Sequence, residues 1–390
     1  MSAERDDFLG ALGRWLVDTG PRTERACDLF RGFCAWLVEQ GLPLSRASMG
    51  LEILHPLVTG RQMIWSAEGV RVQTAQRGIR SENDYDTSPV RLVDETGHSF
   101  RRRLDGPQAD YGILESLRLA GGTDYVIFPL PFLDQNRTAF ISFTTQAAGG
   151  FSDDAIGQLE DAIRAFSPWV ERDNLRSAAL DLLGTYVGPS TGRRIYEGKV
   201  ERGQAEFMKA VIMMADLRGY TRYADTHPLS VVLRDLNEWF GLMVSAITGA
   251  EGEVLKFTGD GLLAVFPVTE GRVDDALAAS VSAVRAAVHS VTIANLERGA
   301  LGDGHFQFGI GVDAGEIAYG NVGSPNRLDF TVIGPTVNRA SRLVERSKTL
   351  DVPALLSDAF ASQVGPLGLR DLGQHKLRDL GQPRTLYTIA

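Results

Sequence analysis

The sequence predicts an α/β (α+β) protein of two domains: a mixed helix-and-strand unit over residues 1–185 and a ferredoxin-like β-α-β-β-α-β unit over residues 207–390. Three observations carry this. The chain has 390 residues, too many for one ordinary core. Apolar residues recur at helical spacing in some stretches and in short strand-like runs in others. The Gly-rich, charged stretch "GPSTGRRIYEGKVERGQAEF" divides two differently patterned halves, so residues 186–206 are expected to form a linker.

Composition narrows the function. With 44% hydrophobic and 23% charged residues the chain is globular in type, and a formal charge of −9 argues against a nucleic-acid-binding surface. A small nucleotide needs only a few local cations or a metal and stays open. The start "MSAERDDFLGALGRWLVDTG" lacks the basic and long apolar parts of a secretory signal. No run of about 18 apolar residues occurs, so no membrane span is expected. Cys27 and Cys34 lie seven apart in one expected helix, about 10 Å along its axis and too far for a bridge. A reducing, cytoplasmic location is the expectation.

In the first domain, "ERACDLFRGFCAWLVEQG" places Ala26, Leu29, Phe30, Phe33, Cys34 and Leu37 at helical spacing and stops at Gly41. Strands are expected in "RASMGLEILHPL" and "RQMIWSAEGVRVQTAQ". Residues 78–110 are turn-rich, and their run Arg101–Arg103 reads as solvated. "DYVIFPLPFL" and "RTAFISFTT" read as antiparallel strands joined by "DQNR". A long helix follows from "FSDDAIGQLE", with a break expected at Pro168. His55 and His98 read as ordinary hydrogen-bonded residues, and no His/Cys spacing suggests zinc. The element order over roughly residues 8–180 resembles a GAF-type sensor domain, with a PAS-type domain as the near alternative.

In the second domain, "KAVIMMADL" reads as a strand, "PLSVVLRDLNEWFGLMVSAITGAEG" as a helix and "GEVLKFTGDGLLAVFP" as a hairpin. An Ala-rich helix, a strand with a Gly-rich arm, the strand "LDFTVIG", the helix "TVNRASRLVERSKTL" and two short strands complete it. "GIGVDAG" is not a dinucleotide fingerprint, because its spacing is G-x-G-x-x-x-G and it leads no helix. Asp216 ends an apolar strand before the turn "LRGYT", and Asp260 sits in the turn "TGDG". Singly they read as a helix cap and a type I′ turn residue. Together, at the ends of neighbouring strands, they suit two hard cations carrying a polyphosphate. Lys256, in the same apolar hairpin, also needs a reason to be there. Asn338 and Arg342, four apart, share one helix face, which Arg346 continues while Arg339 points elsewhere.

"MADLRGYT", "EVLKFTGDGLLAVF" and "FTVIGPTVNRASRL" resemble, in order and spacing, the motifs of the class III adenylyl/guanylyl cyclase catalytic domain. The resemblance implies that Asp216 and Asp260 bind two Mg²⁺ or Mn²⁺ ions and that the backbone of Leu217, Arg218, Gly219, Tyr220 and Thr221 holds a triphosphate. It implies that Lys256 and Thr331 select the purine, that Asn338 orients the ribose, and that Arg342 stabilises charge on the α-phosphoryl group. Arg378, in "KLRDLG", falls where relatives carry a phosphate-binding cation. Pro335 stands where many relatives have Asp or Asn, a position just before a helix where Pro is tolerated. The Lys/Thr pair implies ATP, since guanine-selective relatives use Glu and Cys or similar. Because the family's site lies between two catalytic domains and this chain carries one with both residue sets, a homodimer is implied, with "GEIAYGNVGS" as its arm. The N-terminal domain would then regulate the enzyme through an unidentified small-molecule or protein effector. The rival readings are a catalytically silent signalling scaffold and a guanylate cyclase. A diguanylate cyclase is excluded by the absence of its Gly-Gly-acid-Glu-Phe signature.

Overall fold

The structure, a computed structural model, describes residues 2–76, 85, 87–134, 139–268, 272–363, 368–378 and 381–389. The chain divides into two compact units, Met1–Leu182 and Leu183–Ala390. Most of the expected turn "DQNR" and most of "RSENDYDTSP" lie outside the described residues.

The first unit begins with helices α1 (Ser2–Thr19) and α2 (Ala26–Glu39) and strands β1 (Arg46–Glu52), β2 (Val58–Ser66) and β3 (Gly69–Gln76). It continues through α3 (Pro89–Thr96), β4 (Phe100–Arg103), α4 (Gly112–Leu119), β5 (Asp124–Pro129), β6 (Ala139–Thr145) and α5 (Asp153–Val187). The six strands form one antiparallel sheet in the order β3-β2-β1-β6-β5-β4. Alternation sends Ala47, Met49, Met63, Phe128, Ile141 and Phe143 to one face, where they meet α1, α2 and α5. Phe33 and Phe166 stack there with centroids 3.8 Å apart. On the other face α3 and α4 cover Tyr125 and Ile127 with Val93, Leu114 and Leu117.

Two expectations fail here. α5 runs unbroken through Pro168, which lies on the exposed side with Arg164, the residue whose carbonyl loses its amide partner. The arginine run is not merely solvated: Arg101 and Arg103 both pair with the fully buried Asp124, at 2.8 and 3.2 Å, while Arg102 reaches Asp110. Burial of that carboxylate is what demands them. Cys27 and Cys34 are both free thiols.

The expected linker is also more ordered than its composition suggests. Residues Pro189–Tyr196 form a helix, α6, entered through Gly188 at φ 92°. The Ser190 N–H donates to the Glu253 carboxylate at 2.9 Å, and the buried Thr191 and Tyr319 hydroxyls are 2.8 Å apart.

The second unit contains β7 (Ala205–Leu217), α7 (Tyr220–Thr226), α8 (Leu229–Thr248), β8 (Glu253–Thr258), β9 (Gly261–Pro267) and α9 (Val273–Leu301). Then come β10 (Phe308–Ser324), β11 (Arg327–Ile333), α10 (Pro335–Leu350), β12 (Ala354–Ser357), α11 (Asp358–Ala361), β13 (Leu369–His375) and β14 (Arg384–Ile389). The sheet order β13-β14-β12-β10-β7-β9-β8, with β11 on β10, contains the ferredoxin-like 4-1-3-2 core in β10-β7-β9-β8. The strand and the Gly-rich arm are one 17-residue strand, β10, rather than two pieces. Among the described helices only α9 is long and apolar enough to cross a membrane; its Leu277, Val281, Val284 and Val291 are buried in the core.

The sheet is covered differently on its two faces. Val211, Met213 and Ala215 of β7 and Leu262 and Ala264 of β9 pack with Trp239 and Met243 of α8 and with α9. The opposite face, with Ala210, Ile212, Leu263 and Val265, meets β11 and α10. There α10 lies almost on the backbone of β10. A Cβ at Gly311 would stand 2.2 Å from the Ala340 carbonyl oxygen, and one at Gly309 would meet the Ser347 hydroxyl. The glycines of "GIGVDAG" thus serve helix-on-strand packing. Gly311→Ala should lower stability by about 3 kcal/mol in urea unfolding. Gly241→Ala, on an exposed turn of α8 with open space around it, should raise stability by up to about 1 kcal/mol.

Candidate active site

β7 delivers Asp216 to the end of the sheet beside the β8–β9 turn. Asp216 stands opposite Gly261, and Thr258 pairs with Gly261 across a two-residue turn, so Asp260 is at the neighbouring strand end. Gly259, at φ 71°, takes the left-handed position of that turn, which leaves Asp260 in an ordinary conformation rather than the type I′ one. Gly261 has to be small: a Cβ there would lie 2.8 Å from the Ala215 carbonyl and 3.1 Å from Asp216 Oδ1. Partial burial, and next the Asp260 carboxylate, push the Asp216 carboxyl up to about 6; Lys348 and the Leu217 N–H pull the other way.

Past Asp216 the chain turns at Gly219 (φ 74°), the residue that precedes α7. Leu217 is buried in the core and Tyr220 packs against it, while Thr221 is exposed. The Arg218 guanidinium is spent on α10: it donates to the carbonyls of Ser347 (3.1 Å) and Val352 (2.7 Å) and pairs with Asp351. Ser347 lies in the last turn of α10 and Val352 just past its cap, so Arg218 braces that helix end against the turn after β7.

α10 carries the remaining phosphate-directed candidates. Asn338 is exposed, and Arg342 pairs with Glu345 at 3.0 Å. Arg339 points elsewhere, as its position on the helix implies, and binds the buried Asp313 at 2.6 Å. At the far end of the helix Lys348 Nζ lies 3.8 Å from Asp216 Oδ2. Counting back from Lys348 at the helical rise places Arg342 roughly 9 Å and Asn338 roughly 15 Å away along the axis. Within one chain, therefore, Asp216 is paired with Lys348 at the C-terminal end of α10, and Asn338 stands toward the other end of the helix.

Lys256 stands on β8 beside a register shift, opposite Leu263, on the sheet face that meets α10 and β11. Its Nζ donates to Asp329 Oδ2 at 2.7 Å. Thr331, its expected companion, is buried two residues further along β11, on the same side of that strand by alternation. Arg378 lies exposed just past β13, an edge strand four places from β7 in the sheet. Sequence reasoning missed Asp329 and Lys348. The signal for Asp329 was its two-residue offset from Thr331 in a strand; Lys348 had none, since its neighbour is more than a hundred residues away.

Among the described residues no three His, Cys, Asp or Glu side chains gather as metal ligands. A carboxylate pair in which Asp260 helps push Asp216 up fits a hard divalent cation that takes its other ligands from phosphate and water.

Residues 204–355 match the family model of the adenylate and guanylate cyclase catalytic domain. Two uncharacterized proteins of Mycobacterium tuberculosis are similar. One is 32% identical over 199 residues, 51% of this chain and 35% of that protein; the other is 33% identical over 201 residues, 51% and 33%. The chain thus spans about a third of the length of these curated relatives. Among solved structures, the adenylyl cyclase CyaB from P. aeruginosa shares 25% identity over 48% of this chain and 96% of that one, with a TM-score of 0.44. The guanylyl cyclase Cya2 shares 26% over 47% and 92%, with a TM-score of 0.41.

The Asp216 environment gives a direct test by carboxyl NMR on the metal-free protein. Asp260→Asn should lower the Asp216 midpoint below about 6 yet leave it above an ordinary Asp, because burial, the larger cause, remains. Lys348→Ala should move it the other way.

Proposed function

We propose that this protein is an adenylate cyclase, converting ATP to 3′,5′-cyclic AMP and pyrophosphate at the interface of a homodimer. The observation that carries the reading is the Asp216–Asp260 pair at adjacent strand ends, with Asp216 raised to about 6. Such a pair is poorly satisfied by protein alone and well satisfied by divalent metal.

Asp216 and Asp260 would hold Mg²⁺ or Mn²⁺, which when bound supplies charge neutralisation for the triphosphate and acidifies the attacking hydroxyl. The backbone from Leu217 to Thr221 would position the phosphates, with the Arg218 brace keeping that turn in place. In the reaction a bond forms between the ribose 3′-oxygen and the α-phosphorus, the bond to the pyrophosphate oxygen breaks, and the hydroxyl proton is released. Arg342 would stabilise charge gathering on the α-phosphoryl oxygens, and Asn338 would fix the ribose. Lys256 is a donor only, matching the N1 acceptor of adenine and conflicting with the N1–H of guanine. The Thr331 hydroxyl, with the Asp329 carboxylate beside Lys256, offers acceptors to the adenine amino group.

Reach supports the dimer. Lys348 sits at Asp216 while Arg342 and Asn338 recede along α10, so a second copy would bring its own Arg342 and Asn338 to the carboxylates. Regulation by the N-terminal unit would run through the end of α5 and α6, whose Ser190 N–H and Thr191 hydroxyl are tied to Glu253 and Tyr319 of the catalytic unit.

The test incubates the full chain with ATP or GTP and Mg²⁺ or Mn²⁺ and separates the products. Cyclic AMP should form in preference to cyclic GMP, and Asp260→Ala should lose about 100-fold or more of the rate. Lys256→Ala should cut the ATP-over-GTP preference by roughly tenfold or more. Preferential cyclic GMP would reverse the base assignment. ATP binding and dimerisation without any cyclic product would favour the silent scaffold.

A further inference from the structure

The outer face of β1–β3 carries a cavity of about 460 Å³ with mixed polar and apolar walls. Strand register builds it. Tyr125, Thr144, Arg46, Ser66 and Gly69 stand side by side across five strand positions, because Thr144 is opposite both Tyr125 and Arg46, and Ser66 is opposite both Arg46 and Gly69. Arg71, opposite Ile64, belongs to the next row. Arg46, Ser66, Arg71 and Thr144 all line the cavity.

Arg46 is half-buried, and it donates no hydrogen bond and forms no ion pair among the described residues. Burial lowers its pKa, opposed only by Tyr125, whose own hydroxyl burial pushes up to about 12. The carboxylate next to Tyr125 in sequence, Asp124, points to the other face of the sheet and is held by Arg101, Arg103 and the Phe151 N–H. Thr144 is buried and its Oγ1 has no hydrogen-bond partner. The Ser66 hydroxyl accepts from the Glu68 N–H, which leaves its own proton to donate. A desolvated cation beside unspent hydroxyls is costly in an otherwise finished fold.

We propose that this cavity is a binding site for a small molecule bearing an oxyanion, carboxylate or phosphate, which Arg46 takes as a two-pronged donor while Thr144 and Ser66 donate their hydroxyls. The guanidinium fork suits either group, and the volume suits a metabolite. Arg71 adds positive charge at the exposed rim. Glu68, on the hairpin turn between β2 and β3, also lines the cavity and favours a ligand with donor groups at its outer end.

The test titrates the full chain calorimetrically with inorganic phosphate in one arm and citrate in the other, which separates the two oxyanion sources. At least one should bind saturably with a Kd of about 1 mM or tighter. Affinity should fall about tenfold or more in Arg46→Gln and in Thr144→Val, and hold in Arg164→Gln on the surface of α5. Thr144→Val breaks no hydrogen bond, so it reports on binding even if the Arg46 variant folds poorly. Without anion, Arg46→Gln should raise Tm, since it removes a desolvated charge that has no partner. Saturable binding by neither anion, undiminished binding in both variants, or a lower anion-free Tm in Arg46→Gln would each overturn the proposal. The readout is binding, so its failure leaves the proposed cyclase reaction untouched.

Discussion

The close seating of α10 on β10 is the constraint on which the catalytic unit depends. Without side chains at Gly309 and Gly311 the helix backbone comes within contact of the strand, and two arginines then hold it there. Arg339 reaches down to the buried Asp313, which also accepts from the Ser357 hydroxyl. Arg218 ties the helix C-terminus to the turn that follows β7. One helix is thereby fixed against the strand end bearing Asp216, with Lys348 at one end and Asn338 near the other. A displacement of α10 would move Asn338, Arg342 and Lys348 together relative to Asp216.

Electrostatics bear on how the proposed dimer would divide the work between its chains. Asp216 and Asp260 repel each other where partial burial already disfavours charge, and among the described residues the cation paired with Asp216 is Lys348 at 3.8 Å, a distance at which a half-exposed pair contributes little. The site is therefore short of positive charge. Divalent metal and the substrate-directed Arg342 of a second copy are what would complete it, and Lys256 is held apart on β8 by Asp329. Lys256 and Asp260 are close in sequence yet need not serve the same nucleotide.

Much of this was legible beforehand because motif residues and local periodicity coincide. The β7 run ending in Asp216, the hairpin around Lys256 and Asp260, and the helix with Asn338 and Arg342 all announce themselves within fifteen residues. What escaped reading depended on partners far away in the chain. Asp124 gives Arg101 and Arg103 a buried purpose that a run of three arginines does not reveal. The segment around α6 looked like a linker because Gly188, Gly192, Gly198 and Gly203 and several charges punctuate it, yet a Cβ at Gly192 would collide with the backbone of Leu183 and Gly184, so that glycine marks close packing and not slack. Asp329 and Lys348 became visible only once the sheet brought β8 to β11 and the helix end to β7.

In the proposed enzyme one active site takes residues from two copies. This sharing is tested most directly by mixing two inactive variants, Asp260→Ala and Arg342→Ala, under conditions where subunits exchange. Half of the dimers are then mixed and each holds one intact site, so about a quarter of the parental cyclase rate should return. If each variant alone is inactive, folded and dimeric and the mixture stays inactive despite exchange, the carboxylates and Arg342 do not act across the interface, and the account is wrong.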